Sequence, residues 1–231
     1  TKEISKWIIG SERVNTQRIQ RMPSCTASYL LVVGLYLLIS VAVTYPLISK
    51  LDTGIYGYPS DSTHIIWSIW ADKQQLLDGI SRDELVGLPF GFDSRERIFT
   101  PYSWLVLGTA FLRNEVFAYN VFILATFPIS ALVAYHLALK LTRMPKASFI
   151  AGLIYSFGPY HVWTARNHLT FDPQWLALFV LALWSFEQRP SAPRALLAGF
   201  AYSLVVIVNP YYGFFAAVAA VVLVICRIGY H

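Results

Sequence analysis

Asp61 stands in the run Tyr58-Pro59-Ser60-Asp61-Ser62-Thr63-His64-Ile65-Ile66-Trp67, in a polar loop that follows a long apolar block. A second polar stretch, Thr164-Ala165-Arg166-Asn167-His168-Leu169-Thr170-Phe171-Asp172, is preceded by Gly158-Pro159-Tyr160-His161. These residue types suit group transfer to a hydroxyl. A carboxylate such as Asp61 accepts the proton of the attacking hydroxyl as general base. Arg166 and His168 neutralise phosphate oxygens on a leaving group. His64, Tyr160 and Asp172 complete a candidate substrate-binding set, with His161, Asn209 and Tyr211 nearby in the same topological scheme.

Each of these residues also has a purely structural role open to it. Asp61 directly precedes a helix-like run, where Asp is a common cap. Arg166 can anchor a span at the interface, and Asp172 can cap a helix that Pro173 begins. His136, within an apolar run, reads as a packed or interhelical polar group.

The elements that must position these residues are mostly apolar. The 231 residues are 56% hydrophobic, 16% aromatic and only 13% charged, about half the charge usual in soluble domains. The apolar residues fall in long blocks, the pattern of a polytopic membrane protein. The net charge of +5 is carried by dispersed basic residues, which argues against a nucleic-acid surface. Cys25 and Cys226 both fall on the expected inner side, so a disulfide is not expected.

Spans are expected over about residues 29–47, 116–139, 147–163 and 173–186, with Pro46 near the outer end of the first and Pro128 kinking the second. The stretch 195–226 is too long for one helix, and Asn209-Pro210 divides it into a tight hairpin whose first arm is short. Residues 50–100 form the first outer loop. Within it 62–77 reads as an interfacial helix with Ile66, Ile69, Trp70 and Leu77 on one face. Residues 87–101 read as irregular, and 104–112 as a re-entrant or interfacial piece. The fold expected is all-α: a transmembrane bundle of about six spans over 28–231, with a cytoplasmic segment 1–27. The chain runs from Thr1 to His231 and reads as truncated at its C-terminal end.

Charge fixes the expected orientation. With the N-terminus inside, the inner segments carry 11 of the 18 Lys/Arg and only three of the 13 acidic residues (Glu3, Glu12 and Glu187), as the positive-inside rule requires. That places the Asp61 loop, the 164–172 connection and the Asn209 turn together on the outer face. No nucleotide-binding glycine loop, zinc-spaced Cys/His cluster or nucleophilic-serine elbow is present. His64 and His168 are too far apart in sequence to define a metal pair, and a divalent cation is left as the candidate cofactor.

The layout resembles the N-terminal part of GT-C-type membrane glycosyltransferases, which use polyprenyl-phosphate-linked sugars. Tyr58-Pro59-Ser60-Asp61 followed by Ile65-Ile66-Trp67-Ser68-Ile69-Trp70 is similar to the acidic first outer loop and interfacial helix of that superfamily. Phe99-Thr100-Pro101-Tyr102, Ala118-Tyr119-Asn120, the run from Ala151 to Tyr160, and Asn167-His168-Leu169 resemble later landmarks, so that the likeness covers about residues 28–225. It implies an integral protein of a bacterial or archaeal plasma membrane with an extracytoplasmic site. Sugar would pass from a polyprenyl-phosphate carrier to a glycan, lipid or protein acceptor, with Asp61 as base and Arg166 and His168 toward the lipid phosphate. Two features depart from that superfamily: no second acidic residue stands beside Asp61 in a motif, and the spans are fewer. A non-catalytic scaffold of the same layout and a flippase for lipid-linked sugars are the rival expectations.

Overall fold

Asn114 opens the longest helix among the described residues. Its side-chain Oδ1 accepts the Phe117 N–H at 2.7 Å, satisfying one of the amides that a helix start leaves free. A computed structural model describes residues 25–59, 61–78, 82–83, 92–93, 108–166 and 173–228. By internal packing the chain divides into residues 1–32 and 33–231. Of the first unit only the opening of a helix is described; everything below concerns the second.

The helices are α1 (Cys25–Thr44), α2 (Asp61–Asp78), α3 (Glu115–Thr142), α4 (Pro145–Phe157), α5 (Pro159–Ala165), α6 (Pro173–Gln188), α7 (Ala192–Val208) and α8 (Pro210–Ile228). A 3-10 turn, Leu47–Ser49, follows α1. Among the described residues the only strands are β1 (Arg82–Asp83) and β2 (Phe92–Asp93), an antiparallel two-residue ladder. The expected all-α architecture holds.

Four boundaries follow directly from proline and asparagine. Pro145, Pro159, Pro173 and Pro210 each take the first position of a helix, where a missing N–H costs nothing. Asn209 ends α7 and caps α8, its Oδ1 accepting the Tyr211 and Tyr212 amides at 3.0 and 3.3 Å. The arms of this hairpin are 17 and 19 residues. The stretch expected as a single third span is two helices. Gly158-Pro159 separates α4 from α5, because the residue before proline is driven to extended backbone; Gly158 has φ −62° and ψ 154°. Likewise α1 stops at Thr44, so Pro46 lies beyond the helix rather than inside its outer end. Pro128, by contrast, is carried within the continuous helix α3.

Helix α3 is the hub. It packs chiefly against α4 and α6; α6 packs on α7, and α7 on α8. Small residues allow the α3–α4 approach: Ser148, Gly152 and Ser156, one turn apart, are all buried. A Cβ on Gly152 would collide with the Tyr36 hydroxyl and the Ala131 carbonyl. Tyr36 meanwhile donates to the Phe149 carbonyl at 3.0 Å and stacks on the Phe149 ring. Deeper in, the Gln174 Oε1 accepts the hydroxyls of Thr126 and Ser130 at 2.7 and 2.9 Å, pinning α6 to α3.

At 28 residues, α3 is long and apolar enough to cross a membrane, spanning about 42 Å against a hydrocarbon core of about 30 Å. Shorter apolar helical stretches cover Ser28–Thr44, Ala192–Val208 and Pro210–Leu223. Large apolar side chains are exposed along them, among them Leu38 at 68%, Leu196 at 74% and Phe214 at 66%.

Hydrogen bonds link the ends of several helices in two groups. At one end the Lys140 ammonium donates to the Ser185 hydroxyl at 2.7 Å, joining the finish of α3 to that of α6. Arg143, which caps the end of α3, and Arg194, in the first turn of α7, flank connections at this basic end. At the opposite end lie the loop after α1, helix α5 and the start of α8.

Candidate functional site

The loop 50–59 forms neither helix nor strand, so its backbone groups need partners from elsewhere. Asn120, fully buried in the second turn of α3, supplies them. Its amide nitrogen donates to the carbonyls of Leu51 and Gly54 at 2.8 and 2.6 Å, and its oxygen accepts the Tyr56 N–H at 3.4 Å. Beside it, Asn114 donates to the Asp52 carbonyl at 3.1 Å. Arg113 pairs with the Asp52 carboxylate at 2.7 Å.

The far side of the loop is fastened to the end of α5. The Tyr58 N–H donates to the Arg166 carbonyl at 3.2 Å. Gly57 makes this approach sterically possible. Its φ is +106°, and a Cβ there would run into the Arg166 carbonyl. The Arg166 guanidinium lies 5.8 Å from the Tyr56 ring centroid, with Nε 3.5 Å from the Tyr56 hydroxyl. That hydroxyl, first among the causes, lifts the guanidinium above its ordinary range; Arg166 therefore stays charged at every working pH.

Between the loop and α5 opens a pocket of about 280 Å³. Lys50 and Arg166 bring positive charge to its lining, and Tyr45, Tyr56 and Tyr58 supply aromatic walls with hydroxyl donors. Among the described residues no acidic side chain lines it. Asp52, the nearest in sequence to Lys50, is occupied by Arg113. A site with two cations, phenol hydroxyls and an apolar floor is suited to an anion that carries an organic substituent.

Helix α2 begins at Asp61. Its backbone lies three residues beyond Tyr58, hence within about 11 Å of it by chain geometry; the Asp61 side chain is outside the described residues. The helix sits on α3 through Ser62, which accepts the Tyr119 hydroxyl at 2.8 Å, and through Lys73, which pairs with Glu115 at 2.9 Å. Ile65, Ile66 and Ile69 fill the interface between them. The apolar face expected for this helix is therefore divided. Ile66 and Ile69 pack inward, whereas Trp70 and Leu77 are exposed.

The remaining expected site residues fall in different places. His64 is exposed and stacks on Trp67 at 5.8 Å, one turn along its own helix, and does not line the pocket. Tyr160 is exposed, its hydroxyl 3.0 Å from that of Tyr212, which ties α5 to α8. His161 is buried at 3% exposure and stacks on Phe127 at 4.7 Å, serving as packing. Asn209 is consumed in capping α8. His168 and Asp172 lie outside the described residues. Among the described residues no three His, Cys, Asp or Glu side chains group closely enough to hold a metal ion.

Of the Asp61 loop, the 164–172 connection and the Asn209 turn, expected on one face, the described parts show two links: Tyr58 to Arg166, and Tyr160 to Tyr212. Lys50, Tyr56, Gly57 and Asn120 were not singled out from sequence as site residues. The available signals were an amide inside an apolar helix and a Gly-rich, Tyr-rich run between a lysine and the Asp61 turn. No protein-family model, curated protein or solved structure matches the chain.

Proposed function

We propose that this protein is a membrane-embedded inverting glycosyltransferase, or the N-terminal part of one, acting on a polyprenyl-phosphate-linked sugar at the outer membrane face. The observation that supports the reading is the hydrogen bond from Tyr58 to Arg166, which joins the loop leading toward Asp61 to a residue that lines a cationic pocket. The exposed leucines and phenylalanines of α1, α7 and α8 support a lipid surround, since such continuous apolar surface is unfavourable in water. The basic connections at the opposite end fit a six-span arrangement with those loops inside.

In this reading Asp61 takes the proton of an acceptor hydroxyl as its oxygen bonds to the anomeric carbon. The bond from that carbon to the phosphate oxygen breaks, and the electron pair leaves with the polyprenyl phosphate. Arg166 faces the phosphate. Single displacement inverts the anomeric centre.

The test uses full-length protein in nanodiscs, offered polyprenyl-phosphate carriers with labelled sugars. Wild type transfers label, and Asp61→Asn lowers the rate by about 10²-fold or more without changing the unfolding temperature. Unchanged transfer by Asp61→Asn would sink the base assignment.

A further inference from the structure

We infer that the basic end of the bundle is a binding surface for anionic phospholipid, with the α3–α4 connection supplying the main headgroup contacts. The inference uses the membrane reading above but not glycosyl transfer, so the two fail separately. Residues 140–146 and 187–194 hold five basic residues, Lys140, Arg143, Lys146, Arg189 and Arg194, against one acidic residue, Glu187. All five cations reach the surface, Arg194 only in part. Hydrogen bonds set the two connections side by side. The Lys140 ammonium donates to the Ser185 hydroxyl at 2.7 Å, and Arg189 follows Ser185 by four residues, about 6 Å along the helix direction. Arg194 then donates to the Arg189 carbonyl at 2.6 Å, across the turn into α7.

Three of these cations occupy positions that local helix physics disfavours. Arg143 caps α3 in the left-handed region at φ 57°, its N–H donating to the Leu139 carbonyl at 2.9 Å. Glycine adopts that backbone without strain and is the usual residue there. Lys146 and Arg194 stand in the first turns of α4 and α7, where the helix dipole opposes positive charge. Orientation in a membrane needs only a count of inner cations, which unstrained positions would meet equally well. Between the cations, Leu141 and Met144 are more than half exposed, and Leu196 and Leu197 are exposed within a turn of Arg194. Cations interleaved with exposed apolar side chains match the boundary between headgroups and acyl chains. A free phosphate would use the cations but not Leu141 or Met144, so the surface fits a lipid.

The experiment titrates the full chain, in neutral detergent, with phosphatidylglycerol and phosphatidylcholine of identical acyl chains. Native mass spectrometry counts bound lipid, and unfolding temperature is measured without lipid. Wild type is expected to bind the anionic lipid about tenfold or more tightly than the neutral one. Arg143→Gly and Lys146→Gln each lower phosphatidylglycerol affinity about fivefold and leave phosphatidylcholine within about twofold. Neither lowers the unfolding temperature, because each removes a locally unfavourable feature. Arg143→Lys keeps the preference. Arg113→Gln, which removes a cation beside the loop after α1, leaves it unchanged. A wild type without preference overturns the proposal, as does undiminished phosphatidylglycerol binding by both Arg143→Gly and Lys146→Gln, or equal weakening of both lipids. A loss of preference in Arg113→Gln as large as in Arg143→Gly would reduce the effect to net charge and overturn the site. Displacement of phosphatidylglycerol by an equal concentration of glycerol phosphate would overturn the lipid as its ligand.

Discussion

The Tyr58 amide and the Arg166 carbonyl meet at 3.2 Å, joining a loop that follows the first helix to the end of a helix more than a hundred residues later. One backbone hydrogen bond thereby unites the turn that leads to Asp61 with the guanidinium facing the pocket. Gly57 controls it.

Gly57→Ala is expected to separate the loop from α5. Positive φ is unfavourable for alanine, and its Cβ would strike the Arg166 carbonyl. The expected loss is about 2 kcal/mol or more of stability. Gly54→Ala should lose less, because its Cβ would meet the Lys50 Cβ at 3.1 Å and the Lys50 carbonyl only at 3.5 Å, and its φ is not in the left-handed region. Thermal unfolding in detergent compares the two; equal melting temperatures would remove the special role of Gly57.

Asn120 fastens the other side of the loop with three hydrogen bonds in a fully buried position. Asn120→Ala should lower stability by roughly 3 kcal/mol, because two carbonyls and one N–H lose their partner. Asn120→Asp should be worse still, since a carboxylate cannot donate to the Leu51 and Gly54 carbonyls. Chemical denaturation of the three proteins reads this order. Asp melting above Ala would contradict it.

Gly152 and Tyr36 should show coupled substitutions. Gly152→Ala overpacks the α3–α4 contact and is expected to lose about 1–3 kcal/mol, whereas Tyr36→Phe gives up one hydrogen bond, about 1 kcal/mol. Because the Tyr36 hydroxyl is one of the two atoms that a Cβ on Gly152 would meet, the double variant should be more stable than the sum of the singles. A double-mutant cycle measures that surplus, and strict additivity would argue against the close contact.

The proposed orientation makes a further prediction for single cysteines introduced after Cys25 and Cys226 are replaced by serine. Tyr211→Cys, 80% exposed in the first turn of α8, should react with a membrane-impermeant maleimide applied to intact cells. Arg143→Cys, in the basic connection between α3 and α4, should react only after permeabilisation. The opposite labelling pattern would reverse the topology.

By itself the sequence determined the local architecture of this protein. Proline cannot donate an amide hydrogen bond, which favours Pro145, Pro173 and Pro210 at helix starts, although Pro128 is carried inside α3. The apolar blocks are helical, Asn209-Pro210 is a turn, and the 62–77 run forms the helix that its pattern implied. Charge asymmetry along the chain led to an expected grouping of the connections, and the Lys140–Ser185 and Tyr160–Tyr212 contacts join helix ends next to connections that it grouped. What only the tertiary structure decided is which side chains meet. Gly57, Asn120, Lys50 and Arg166 are separated by up to 116 positions, and no periodicity relates them. They converge because an amide buried in one helix satisfies the carbonyls of a distant loop, and a residue lacking a side chain lets two backbones touch. Hydrogen-bond satisfaction and steric fit act through space, so the chain order that fixes helices is silent about them.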